Sequence, residues 1–194
     1  MKVIIVGGVA GGASCAARLR RLNEKAEILL LERGPYVSYA NCGLPYHIGG
    51  TIEKESSLLV STEQRFREFF NIDCRPFCEV ISISKENKTV EIKNHRTGEL
   101  TTEKYDKLVL SPGAAPIRPP LPDIDLPGIF SVRTVPDAKN IREWLDRDSL
   151  NTGMNEYAGA NTLAKPKTAV VVGGGFIGLE TAENLIHRGF EVTL

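Results

Sequence analysis

The sequence predicts an α/β fold in which a parallel βαβ unit occurs twice, once near each end of 194 residues, with an antiparallel hairpin inserted between the two. Three observations carry this expectation. Two glycine-rich turns, GGVAGG at residues 7–12 and GGGFIG at residues 173–178, each follow a short aliphatic run and each open a stretch of helical periodicity. The order of run, turn, helix and second run is the same in both places, 166 positions apart (Gly7 to Gly173), and two occurrences make an internal repeat but not a solenoid. Between them lies a segment that alternates apolar and polar residues with the period of half-exposed strands.

Residues 3–6, VIIV, are a continuous apolar run rich in β-branched side chains, the pattern of a central parallel strand covered on both faces. From Gly12 to about Leu22, the small Ala13, Ala16 and Ala17 are followed by Leu19 and Leu22 at helical spacing, and small side chains let a helix lie close on a sheet. The run AEILLLE, ending at Glu32, is the next strand. EVISISKENKTVEIKN, with Glu86-Asn87 at its turn, reads as a hairpin, and KYDKLVLSPGA as a return strand entering a glycine turn. Pro116, Pro119, Pro120, Pro122 and Pro127 mark an extended connector. VPDAKNIREWLDRD has helical periodicity, and SLNTGMNEYAGANTLAKPK (149–167) reads as a mobile polar loop. TAVVV, the second turn, a helix through about His187 and FEVTL complete the order. The expected domains are residues 1–115, a connector with its helix over 116–165, and the first part of a second domain over 166–194.

Composition excludes several classes of function. Lys plus Arg equals Asp plus Glu, 24 each, so no net field draws the chain to nucleic acid or to an anionic membrane. The apolar start MKVIIVGG is too short for a signal-peptide core, and no stretch reaches the roughly 18 apolar residues of a membrane span. Four cysteines (Cys15, Cys42, Cys74 and Cys78) without an export signal point to reduced thiols in the cytoplasm. Cys74 and Cys78 lack a second pair or histidine cluster, so no metal site is expected; half-buried strand thiols are.

The glycine turns carry a binding chemistry. In a GxGxxG turn the glycines permit a tight bend and close backbone approach, and a pyrophosphate sits on the free N–H groups of the following helix. Gly7 and Gly12 hold the first and last positions of the first turn, Val9 departs from the pattern at the third, and Ala10 and Gly11 complete it. Glu32 lies 20 positions beyond Gly12 at a strand end, where an acidic residue hydrogen-bonds an adenosine ribose. Gly173, Gly175 and Gly178 match the full pattern, with Phe176 and Ile177 between them, and Glu180 is expected to begin the helix. By the spacing of the first unit, the residue that tells NADH from NADPH falls shortly after Leu194. A βαβ unit cut in its second strand is expected to mark the front part of a longer protein, and these 194 residues alone are expected to bind nicotinamide cofactor poorly and to show no turnover.

Between the turns, SYANCGLPY presents Cys42 with no partner at the CxxxxC spacing of an internal disulfide. Its oxidised form is then a sulfenic acid or a mixed disulfide with a small thiol, and its attacking form is the thiolate. GLPYHI, with Pro45 in the first turn, is compatible with a helix beginning at or just after Cys42. Ser14, Arg18 and Arg21 fall at i, i+4 and i+7, one helical stripe opposite the alanines, where two guanidiniums can hold phosphates.

SYANCGLPY, the GGVAGG turn, KLVLSPGA and VVVGGGFIGLE together resemble the N-terminal part of the single-cysteine pyridine nucleotide-disulfide oxidoreductases, most of all coenzyme A disulfide reductases and coenzyme A persulfide reductases. The resemblance implies a Rossmann-like FAD-binding domain followed by the start of a Rossmann-like NAD(P)H-binding domain. It implies Cys42 as the redox nucleophile that forms a mixed disulfide with coenzyme A, flanked by Ser38 and Asn41. It implies FAD on Gly7, Val9, Ala10, Gly11, Gly12, Glu32 and Arg33, with Val80 beside the adenine and Ser111, Pro112 and Gly113 closing over it, and NAD(P)H on the second turn. Ser14, Arg18 and Arg21 then serve coenzyme A phosphates. Where the family has a further basic contact, Phe70 stands here, with Arg67 close by. An NADH oxidase or peroxidase, cycling Cys42 through sulfenic acid, is the alternative activity. The family is generally dimeric through a C-terminal domain, so a homodimer is expected of the whole protein.

Overall fold

The structure, a computed structural model, describes residues 1–151 and 167–194. The chain divides into two units, Met1–Ala40 with Leu59–Ala114, and Asn41–Leu58 with Ala115–Leu194.

The first unit is built on β1 (Lys2–Val6), which pairs in parallel with β2 (Glu27–Leu31) on one side and with β7 (Lys107–Leu110) on the other. β3 (Asp73–Arg75) adds to β2, giving the parallel order β3-β2-β1-β7. Alternate side chains of a strand point to opposite faces, and here both faces are apolar. Val3, Ile5, Ile28 and Leu30 pack with Ala13 and Ala16 of α1 (Gly11–Leu22) and with Phe66 of α3 (Glu63–Glu68). Ile4, Leu29 and Leu31 pack with Cys78, Val90 and Ile92 on the other face. Those last residues belong to an antiparallel sheet of β4 (Cys78–Ser84), β5 (Thr89–Asn94) and β6 (Leu100–Lys104). Ile4, Ile5 and Leu30 are wholly buried, each contributing about 1.5–3 kcal/mol of apolar transfer. Glu103 of β6 receives Lys2 Nζ at 2.8 Å and Arg75 Nη1 at 3.0 Å, tying the antiparallel sheet to β1 and β3 of the parallel one. The hydrogen bond from Lys2, more than that from Arg75, holds the Glu103 carboxyl below its ordinary range.

The second unit holds α2 (Leu44–Gly49), α4 (Val135–Asn151), α5 (Phe176–His187) and the parallel pair β8 (Thr168–Val170) and β9 (Glu191–Thr193). α2 lies against both α4 and α5. The approach to α5 is close at Gly49, where an added Cβ would lie 2.2 Å from Asn184 Oδ1.

Several expectations need correction. The inserted hairpin is a three-stranded meander, because β6, mostly polar and exposed, has no apolar alternation to announce it. β3 and α3 are additional; α3 is opened by Thr62, whose Oγ1 accepts the Arg65 N–H at 3.2 Å. The helix expected over 135–148 runs to Asn151 and so takes the first residues of the loop expected over 149–167, of which 152–166 lie outside the described residues. Cys74 and Cys78 are fully rather than half buried, since β3 and β4 face the two cores. Glu180 sits in the second turn of α5 and does not begin it.

Both glycine turns close in the same way. A Cβ at Gly12 would lie 1.7 Å from the Gly7 carbonyl oxygen, and one at Gly178 would lie 1.8 Å from that of Gly173. Gly7 (φ 94) and Gly173 (φ 115) also hold left-handed backbone that other residues adopt at a cost of about 1–2 kcal/mol. Gly174 has open space around it. Gly178→Ala is therefore expected to lower stability by about 3 kcal/mol or more through overpacking against fixed backbone. Gly174→Ala is expected to change it by less than about 0.5 kcal/mol. Paired thermal melts of the two variants check this, and equal Tm values would contradict it.

Candidate functional site

The first turn is ordered from both sides. Gly7 N–H donates to the Leu31 carbonyl at 2.8 Å, and Ser111 N–H donates to the Val6 carbonyl at 2.7 Å, which brings the end of β7 onto the turn. A Cβ at Gly7 would meet the Ser111 carbonyl oxygen at 2.0 Å and one at Gly11 would meet Ser111 Oγ at 3.0 Å, so Ser111, Gly7, Gly11 and Gly12 form one cluster. Pro112 and Gly113 follow it, exposed. Ala10 caps α1 without a side-chain hydrogen bond, and no acidic residue stands in the first turn. The leading N–H groups, which have no intrahelical acceptor, are thus left to an anion. Val9, in the place of a third glycine, is half-buried and causes no left-handed strain.

Glu32 is not a merely solvated strand-end carboxylate. Its Oε2 accepts the Gly8 N–H and its Oε1 accepts the Gly34 N–H, both at 2.7 Å. Each oxygen retains a lone pair, so a clamped carboxylate can still accept from two hydroxyls. Arg33 is exposed with Nη1 3.7 Å from Glu79 Oε1. Val80 packs half-buried on the core formed by β4 and β5. These residues fit a dinucleotide with an adenosine end at Glu32 and a pyrophosphate on α1.

Ser38 has φ 46, rare for a residue with a side chain. Three backbone hydrogen bonds hold it there: its N–H donates to the Gly8 carbonyl at 2.9 Å, and its carbonyl accepts from Val60 at 2.7 Å and Ser61 at 3.1 Å. The Oγ of Ser61 is buried without a hydrogen-bond partner among the described residues, a signal that sequence reading missed because nothing local marks it.

Ser14, Arg18 and Arg21 share an exposed stripe of α1, opposite buried Ala13 and Ala16. Arg18 makes no hydrogen bond or ion pair among the described residues, and Arg21 Nε reaches only the Ala17 carbonyl at 3.3 Å. Arg20, by contrast, is spent on the carbonyls of Phe70 at 2.9 Å and Asn71 at 2.7 Å. Arg67 does not replace the basic contact missing at Phe70: its Nη2 and Nε donate to the Cys74 carbonyl at 2.7 and 3.0 Å. Phe70 itself packs on the first core.

In the second unit, Asn41, Cys42 and Gly43 form a single 3-10 turn that leads directly into α2, with Pro45 near its start. The Cys42 side chain is exposed and free of any disulfide, whereas Asn41 Oδ1 beside it in sequence is buried and has no partner among the described residues. A buried acceptor left unpaired costs about 1–3 kcal/mol, which a bound donor would recover. At Gly173, Gly174 and Gly175 of the second glycine turn an added Cβ would meet nothing within 4 Å among the described residues. Gly175 caps α5, again with no side-chain cap and no acid in its first turn, and Phe176 and Ile177 are exposed on it. Among the described residues no cluster of His, Cys, Asp or Glu is placed to hold a metal, and no helix is long and apolar enough to cross a membrane.

The thiols are sorted by their surroundings. Burial, with a smaller push from the charge of Glu63, raises Cys74 to about 12, and burial also raises Cys78. Both stay protonated at neutral pH.

The family model for pyridine nucleotide-disulphide oxidoreductases matches residues 1–194. The chain belongs to that family. It is 40% identical over 193 residues to a coenzyme A disulfide reductase of Staphylococcus epidermidis, covering 99% of this chain and 40% of that protein. Its fold matches the structure of reduced Bacillus anthracis CoADR-RHD with a TM-score of 0.88 and 50% identity, over 100% of this chain and 32% of that one. It also matches a NAD-dependent persulfide reductase from A. fulgidus with a TM-score of 0.85 and 33% identity, over 99% of this chain and 33% of that one. The chain therefore spans about 40% of the length of the curated relatives it matches. Membership in this oxidoreductase family accords with two helix N-termini open to anions and one exposed thiol on a helical run.

Thiol labelling with an aromatic disulfide reagent at pH 8 is expected to modify Cys42 rapidly and to leave Cys74 and Cys78 unmodified until denaturant is added; early labelling of either buried thiol would contradict the sorting. The sign of the pH effect follows from Cys74. Its thiol is raised from 9.0 to about 12 in the folded state, so its contribution to stability is full below pH 9 and lost as pH rises toward 12. The denaturation midpoint is expected to fall over that window in the Cys42→Ser background.

Proposed function

We propose that this chain carries the flavin site, the redox-active sulfur and the opening of the pyridine-nucleotide site of an FAD-dependent NAD(P)H:disulfide oxidoreductase acting on coenzyme A disulfide or coenzyme A persulfide. The observation that supports it most directly is the contrast among thiols: Cys42 alone combines exposure, freedom from disulfide bonding and a helical anchor, while Cys74 and Cys78 are buried and raised.

In this reading residues 1–115 form the FAD domain, with Gly7, Val9, Ala10, Gly11 and Gly12 on the pyrophosphate, Glu32 and Arg33 at the ribose, Val80 by the adenine and Ser111, Pro112 and Gly113 over the turn. Residues 116–165 are the connector and helix, and 166–194 open the NAD(P)H domain through Gly173, Gly175, Phe176, Ile177, Gly178 and Glu180. Bound by residues 1–115, FAD would supply the two-electron relay between the nicotinamide hydride and sulfur. The Cys42 thiolate attacks one sulfur of the substrate disulfide; the S–S bond breaks, a Cys42–coenzyme A mixed disulfide forms, and the second coenzyme A leaves as thiolate. Asn41 and Ser38 orient the groups beside the sulfur, and Ser14, Arg18 and Arg21 hold substrate phosphates by charge-assisted bonds. The whole protein is proposed to work in the cytoplasm as a homodimer, without nucleic acid or membrane partners.

In the full-length flavoprotein, Cys42→Ser is expected to lower NAD(P)H-dependent reduction of coenzyme A disulfide by about a thousandfold or more. An unchanged rate would remove Cys42 from the chemistry. Reduction of the purified protein is expected to release coenzyme A; if none is released and oxygen or peroxide is consumed instead, the oxidase reading replaces this one. Arg18→Gln with Arg21→Gln is expected to raise KM for coenzyme A disulfide by about tenfold, the loss of one or two charge-assisted bonds, and to leave KM for a small uncharged disulfide unaffected.

A further inference from the structure

Cys42 is joined to an element too short to hold itself. α2 has six residues, about a turn and a half, far below the roughly 12–15 residues at which an isolated helix becomes marginally stable in water. With the 3-10 turn Asn41–Gly43 it makes one helical run, and the placement of the sulfur follows from how firmly the far end of that run is held.

That far end carries carbonyls with no helical donor, of which the Tyr46 carbonyl is met by the Ile52 N–H at 3.1 Å and the His47 carbonyl by the Gly50 N–H at 3.2 Å. Two arginines from elsewhere in the same unit add to these, one at His47 and the loop that follows and one at Ile48. Arg142 of α4 places Nη1 3.3 Å from the His47 carbonyl, 3.1 Å from that of Ile52 and 2.8 Å from that of Glu53, sharing its N–H groups among them. The same Nη1 is 3.2 Å from His47 Nδ1, which faces the Ile52 carbonyl at 2.8 Å. Arg188, the residue that ends α5, donates from Nη1 to the Ile48 carbonyl at 3.0 Å. Its Nη2 donates to Asp146 Oδ1 of α4, and Asp146 also lies against Arg142 Nε at 3.9 Å. Two cations joined through one carboxylate therefore cover the carboxyl end of α2, where the helix dipole favours positive charge. His47 and Ile48 are buried under them.

We infer that Arg142 and Arg188 are positioning residues for Cys42: by tying the last carbonyls of its helical run to α4 and α5, they fix where the sulfur sits and make the cysteine ride on the helix that the second glycine turn opens. This rests on the reading of Cys42 as the reacting sulfur. Neither arginine touches substrate or cofactor in this account; each acts through backbone. Arg188 spans the Ile48 carbonyl and the Asp146 carboxylate with two arms of one planar fork, which a single ammonium does not reproduce, and a neutral Gln carries no charge for the helix end, so Lys restores part of the effect and Gln little of it.

The test uses the full-length flavoprotein and the variants Arg142→Gln, Arg142→Lys, Arg188→Gln and Arg188→Lys. Cys42 alkylation by iodoacetamide is followed by peptide mass mapping, beside a synthetic peptide of residues 38–50 as the unstructured reference. The unsubstituted protein is expected to label at a rate distinct from the peptide, and both Gln variants to move toward the peptide rate by about fivefold as the run opens locally, with the Lys variants between. In turnover, kcat for coenzyme A disulfide is expected to fall about tenfold in the Gln variants with KM within about twofold, as when a reacting group is misplaced without loss of a substrate contact. Labelling rates unchanged in both Gln variants, or a protein rate equal to that of the peptide, overturn the inference. A rise in KM at constant kcat also overturns it, by assigning the arginines to substrate binding. Absence of any coenzyme A disulfide turnover in the unsubstituted protein overturns the functional reading instead, and the labelling comparison then decides the positioning role by itself.

Discussion

A single steric constraint underlies both halves of this chain: at each glycine turn, the sixth residue lies so close to the carbonyl of the first that no side chain fits, as Gly12 does over Gly7 and Gly178 over Gly173. The contact sets the helix directly on the end of its strand. It also leaves the first N–H groups of α1 and α5 without side-chain caps and without neighbouring acids, which makes each helix start a place for negative charge. The pyrophosphate sites proposed at the two turns follow from that geometry and not from the net charge of the chain, which is zero.

The same chain handles its sulfur atoms in opposite ways. Cys74 and Cys78 lie on the two cores that flank the parallel sheet, and apolar surroundings disfavour the thiolate. Cys42 is placed outside those cores on a short helical run. That run cannot persist alone, and its carboxyl end is bound by Arg142 and Arg188. The fold thus keeps two thiols inert by burial and presents a third by tying its backbone, using arginines whose hydrogen bonds to the run go chiefly to its main-chain carbonyls.

Much of this was legible in residue order. The strands VIIV and AEILLLE, both turns and both following helices stand where periodicity and glycine spacing put them, because strong local patterns and the tertiary fold agree there. β6 was not legible: LTTEK is mostly polar and exposed, and it is a strand only because β5 offers it a free edge. β3, three residues long, was hidden in the same way. Glu180 was misplaced by one turn because the helix begins at Phe176, immediately after its glycine cap.

The sequence by itself determined the α/β class, the repeated glycine turns, the acidic residue 20 positions beyond the first and the isolation of Cys42 from any paired cysteine, since each is a property of local spacing. Only the tertiary structure decided that the Glu32 carboxylate is clamped by Gly8 and Gly34, that Arg67 is spent on the Cys74 carbonyl while Arg18 is free of partners among the described residues, and that α2 is held by residues 95 and 140 positions away. The reason is physical. Spacing along a chain fixes which residues share a helix face or strand edge, but which donor satisfies a given acceptor depends on elements that meet only when the chain has folded.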